Sequence, residues 1–141
     1  MDADTLLFAT GRQPNSHHLN LAAVGVDSDS NGSIVVDAYG QTSVPSIYAV
    51  GDVCNRINLT PMALAEAMAF LATRFGDKPT TIEDMVVPTA VFSNPEIATL
   101  GLTEHQARAQ YDKGRTYRST FRPMKLTLTD HSQHMLMKMN P

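Results

Sequence analysis

Three observations predict an α/β fold. Short runs of β-formers fill the chain before Gly51, an alanine-rich apolar stretch opens at Thr60-Pro61, and strand-like segments flank a short helical one after residue 84. The run Thr5-Leu6-Leu7-Phe8-Ala9 reads as a buried strand entering a loop, stopped by Gly11 and by Pro14, which pushes Gln13 toward extended backbone. Residues 27–32, "DSDSNG", are a polar turn, and "SIVVD" and "SIYAV" after them have strand composition, so the middle of the chain is expected to be β-rich.

From Thr60 the pattern becomes helical. Thr60 is a favoured N-cap, Pro61 suits the first helical position, apolar residues continue through Phe75, and Gly76 stands where a C′ residue belongs. Ala63, Ala65, Ala67, Ala69 and Ala72 are small enough to let this helix lie close against a sheet or a flat ligand. After "GDKPTTIED", a linker that puts a domain boundary near residue 84, the chain reads strand ("PTAVF"), strand ("IATLG") and helix. Strands near residues 117–122 and 135–139 follow. A Thr103-x-x-Gln106 capping box starts the short helix. The chain stops directly after strand-like residues, the ending expected of a piece of a longer polypeptide.

Bulk properties narrow the function. With 141 residues and 43% apolar content, the chain suits one modest domain or pieces of two. Its net charge of −3 and scattered basic residues give no field for nucleic acid. No apolar run approaches the roughly 20 residues that span a bilayer, and no signal peptide opens the chain, so a cytoplasmic protein is expected. Cys54 is the only cysteine, which excludes an internal disulfide and reads as a small buried hydrophobe.

Several motifs lead nowhere. "DSDSNG" matches half of a calcium loop through Asp27, Asp29 and Asn31, but its twelfth position is Ala38 where a bidentate Glu belongs. His17-His18 and His131-x-x-His134 have no third ligand nearby, and no metal is expected. Asp52 differs: a carboxylate at the carboxyl end of a buried strand sits where open α/β sheets place ligands, and it can accept hydrogen bonds from sugar or polyol hydroxyls. The helix opening at Thr60-Pro61 adds free N–H groups and a positive dipole end, suited to a carbonyl or a developing negative charge.

The segments "ATGRQPN", "TSVPSIYAVGDV", "LTPMALAEAMAF" and "PTAVFSNPEIATLGLTE", in this order and spacing, resemble the FAD-dependent pyridine nucleotide-disulfide oxidoreductases. The Leu-Thr-Pro-x-Ala form of the helix start is most similar to glutathione reductase and its relatives, trypanothione reductase and the large thioredoxin reductases. The resemblance implies part of a Rossmann-like FAD/NAD(P)-binding fold followed by the start of an α+β dimerisation domain. Residues 1–14 would be the last strand of the NAD(P)H domain, 15–84 the region completing the FAD domain, and 85–141 the first part of the interface domain. It also implies FAD and NADPH as cofactors, a homodimer, and a low-molecular-weight disulfide, glutathione disulfide first, as substrate.

By the same resemblance, Asp52 and Gly51 would meet the ribityl chain, and Leu59, Thr60 and Pro61 the pyrimidine edge of the flavin. Gly11, Arg12 and Ala90 would border NADPH. A helix N-terminus at that edge favours reduced flavin by about 0.5–2 kcal/mol, on the order of 10–40 mV for two electrons. Met68 falls where some glutathione reductases carry an Arg that meets the disulfide. Neither glycine fingerprint, nor the redox cysteine pair, nor the His-Glu acid-base pair is in these residues, so none of them is expected to be catalytic. The alternatives are a trypanothione or large thioredoxin reductase-like enzyme, or a noncatalytic remnant that binds without turning over.

Overall fold

A computed structural model describes residues 3–140. Met1, Asp2 and Pro141, the outer residues of the first and last expected segments, lie outside it. The chain is mixed α/β and divides into two compact units between Met85 and Val86.

The first unit is built on turns and one long helix. Val26, Ile34, Ala49 and Cys54 form its core, with Leu21, Val36, Val44, Ile47 and Val53 packed against them. Two expectations fail here. Residues 5–9 form no strand, and Leu6, Leu7 and Phe8 are 72%, 85% and 77% exposed. An extended run becomes a strand only where a neighbour pairs with its N–H and C=O groups, and among the described residues none does. "SIVVD" and "SIYAV" likewise contribute only isolated bridges, Ser28 to Ile34 and Gln41 to Tyr48. Their N–H groups go mostly to scattered backbone carbonyls, Ile34 to Val53, Val35 to Asp27, Asp37 to Gln41 and Ala49 to Gly40, while Asp37 Oδ1 and Asp29 Oδ1 tie the adjoining turns by accepting the N–H groups of Tyr39 and Gln41 and of Asn31 and Ser33.

Helix α1 spans Thr60–Phe75 and buries Met62, Glu66 and Ala69. Its N-cap is Leu59, in extended backbone with no side-chain cap, so Thr60 is the first helical residue instead of the cap. At the far end the Gly76 N–H donates to the Ala72 carbonyl at 3.0 Å with φ −110°, and the left-handed residue is Asp77, φ 49°, not the glycine. The small side chains of α1 do permit close approach, but to the loop backbone at Gly51 and not to a sheet.

The second unit is two antiparallel hairpins and a short helix. β1 (Thr89–Val91) pairs with β2 (Ile97–Thr99), Ala90 opposite Ala98. α2 (Glu104–Gln110) starts with the expected capping box, the Thr103 hydroxyl accepting the Gln106 N–H and the Gln106 side chain accepting the Thr103 N–H. β3 (Tyr117–Phe121) pairs with β4 (Met135–Met139), and Arg122 Nη2 gathers the connection by donating to the carbonyls of Leu126, Thr129 and His131. Glu104 ties α2 to this hairpin through Lys138 at 2.6 Å and Arg118 at 3.7 Å.

Candidate functional site

The site is a loop clamped to a helix. Gly51 has φ 77°, a left-handed backbone that glycine alone adopts without strain, and it opens the 3-10 turn Gly51–Cys54. Asp52 therefore sits on this turn and not at the tip of a paired strand, as the sequence suggested. Asn55, φ 49°, closes the turn by donating its N–H to the Asp52 carbonyl at 3.0 Å. The two ends of the turn, Gly51 and Cys54, are buried, and Asp52 between them faces out. Among the described residues the Asp52 carboxylate takes part in no hydrogen bond or ion pair.

What fixes the turn is Glu66. This carboxylate is 5% exposed, and one oxygen accepts the Gly51 N–H while the other pairs with Arg56 Nη2 at 3.2 Å. Sequence reasoning missed it. The available signal was a lone charged residue in the apolar stretch from Thr60 to Phe70.

The α1 start is less open than expected. Leu59 donates to the Ile57 carbonyl at 2.8 Å, and its own carbonyl accepts the Met62 and Ala63 N–H groups at 2.9 and 3.0 Å. Pro61 has no N–H, so the positive end of the helix presents one donor with no acceptor among the described residues, that of Thr60. Cys54 is the buried last residue of the turn. Burial pushes its thiol up; the Arg56 guanidinium opposes this and Glu66 adds to it.

Within the first unit, Gly11, Arg12 and Met68 make no contact with this loop-helix clamp through side-chain hydrogen bonds or ion pairs among the described residues. Gly11 (φ 137°) and Arg12 lie in the exposed extended stretch, without side-chain hydrogen bonds or ion pairs among the described residues. Ala90 belongs to the second unit, where it lines a shallow apolar depression with Pro88, Thr89, Ala98, Thr99 and Leu100. Met68 is 65% exposed on α1. Asp29 in the "DSDSNG" loop has both carboxylate oxygens occupied, and the bonds from Ser33 first, then that from Asn31, hold its carboxyl below the usual range.

Comparison with known proteins agrees on one family. Residues 1–67 match the profile of the pyridine nucleotide-disulphide oxidoreductases, and residues 87–140 that of their dimerisation domain. Glutathione reductase of Burkholderia cepacia is 49% identical over 139 residues, covering 99% of this chain and 31% of that protein. The chloroplastic/mitochondrial glutathione reductase of Pisum sativum is 49% identical over 134 residues, covering 95% and 24%. Trypanothione reductase of Trypanosoma congolense is 44% identical over 124 residues, covering 88% and 25%. The solved structure of the HOCl-induced flavoprotein disulfide reductase RclA from Escherichia coli superposes with a TM-score of 0.84 at 25% identity, covering 94% of this chain and 31% of that one. This chain thus spans about a quarter to a third of the length of its relatives. It belongs to the pyridine nucleotide-disulphide oxidoreductase family.

Proposed function

We propose that these residues complete the isoalloxazine end of the FAD site in an NADPH-dependent disulfide reductase whose substrate is glutathione disulfide. One observation carries the reading: an exposed carboxylate, Asp52, on a turn locked to the helix whose first N–H is that of Thr60, the carboxylate without a partner and the N–H without an acceptor among the described residues. The donor set fits FAD. A carboxylate accepts from ribityl hydroxyls, and an N–H at a positive helix end donates to a pyrimidine carbonyl, where charge gathers on reduction.

Bound FAD would supply two-electron transfer between NADPH and a cysteine pair. In this reading the chain's own residues bind and orient: Asp52 and Gly51 hold the ribityl chain, Leu59, Thr60 and Pro61 face the ring edge, and Gly11, Arg12 and Ala90 border NADPH. The cysteine pair and the His-Glu pair belong to the rest of a longer polypeptide that works as a cytoplasmic homodimer through the region of residues 87–140. The similarity to trypanothione reductase makes glutathione conjugates the second substrate class.

The test is the full-length polypeptide purified with its flavin and assayed for NADPH oxidation with glutathione disulfide, trypanothione disulfide and thioredoxin. Fastest turnover with glutathione disulfide is expected. Asp52→Ala should lower FAD affinity about tenfold or more, since a hydrogen bond to a charged group contributes roughly 1.5–3 kcal/mol. A colourless protein, or unchanged FAD affinity in the variant, would refute the reading.

A further inference from the structure

We propose that Glu66 is a positioning residue for the flavin site, acting through Asp52; this rests on the FAD reading above. Glu66 is the only charged residue among the buried ones in the described chain. Withdrawing a carboxylate from water is costly unless each oxygen finds a partner, and both partners of Glu66 come from a single loop. Gly51 is bonded one residue before Asp52 and Arg56 is paired four residues after it. Glu66 itself stands on α1, six residues beyond Thr60, or about 9 Å along a rigid axis. One side chain therefore sets the Asp52 backbone relative to the helix end that carries the Thr60 N–H. Cys54 also feels this pair, with Arg56 and Glu66 shifting its thiol in opposite directions.

Simple stapling of loop to helix would stabilise the fold without any coupling to Asp52. A double-mutant cycle on FAD affinity separates the two roles. In full-length protein, Glu66→Gln keeps an acceptor for Gly51 but loses the charge that holds Arg56. Because charge-assisted bonds are about twice as strong as neutral ones, its FAD Kd should rise roughly five- to tenfold, with a changed visible circular dichroism of the bound flavin. In an Asp52→Ala background the same substitution should change Kd less than about twofold.

Equal losses in the two backgrounds, or an unchanged Kd in Glu66→Gln alone, would overturn the proposal and leave the FAD reading standing. Unchanged FAD binding in Asp52→Ala alone would instead remove the FAD reading, and this proposal with it. Should Glu66→Gln fail to fold, judged by apoprotein melting, Arg56→Met run through the same cycle reads the clamp from the loop side.

Discussion

A Cβ placed on Gly51 would lie 3.1 Å from the Cβ of Ala63, so the loop and helix α1 touch with no room for a side chain between them. Gly51 also has φ 77°, where a non-glycine residue costs about 1–2 kcal/mol before any crowding. Gly51→Ala should therefore destabilise by about 2–4 kcal/mol once the crowding is added. The check is the urea midpoint, with Gly114→Ala as the control, because nothing lies within 4 Å of a Cβ there.

The same helix is anchored further along by Phe70, whose ring centroid is 5.0 Å from that of Tyr48 at an interplanar angle of 53°. Phe75 adds an edge contact to Phe70 at 6.0 Å and 89°. Phe70→Leu retains most of the apolar area but loses the ring geometry. The expected cost is about 0.5–1.5 kcal/mol for each aromatic pair, measured by chemical denaturation.

Cys54 is expected to be inert. The thiolate is the reactive form, and burial raises the thiol above its ordinary 9.0, so a thiol reagent at neutral pH should label native protein far more slowly than unfolded protein. The linkage has a definite sign. A folded pKa above the unfolded one gives stability that is full below 9.0 and is lost as pH rises beyond it. Cys54→Ala should remove that alkaline loss, seen as a flatter urea midpoint across the same range.

These sites were unequally legible in the sequence, for a physical reason. The Thr60–Phe75 helix and the capping box at Thr103 rest on signals within a few residues of one another, and those segments fold where the sequence puts them; the strands of the second unit form in the expected segments, but nothing in the sequence specified which pairs with which. Residues 5–9 carry an equally clear β signal, but strand formation needs a distant partner that no local pattern specifies. Asp52 stands out as a carboxylate behind apolar residues, yet its 3-10 setting depends on Gly51 bonding to Glu66, fifteen residues away. A lone Glu on a helix ordinarily faces water, so only the packed loop reveals that Glu66 is buried.

Acid stability of the second unit should depend on Glu104. Its carboxylate accepts Lys138 at 2.6 Å and Arg108 at 2.8 Å, with Arg118 at 3.7 Å, joining α2 to the β3–β4 hairpin. Lys138 first and Arg108 second pull its carboxyl from 4.5 down to about 2. A depressed folded pKa means that the contribution is complete above pH 4.5 and is lost as pH falls toward about 2. The urea midpoint of the second unit should therefore drop more steeply across that window in the wild type than in Glu104→Gln. Because this cluster is in contact with solvent, high salt should flatten the wild-type slope toward that of the variant. An identical slope in the two proteins at low salt would show that α2 is held to the hairpin by something other than this carboxylate.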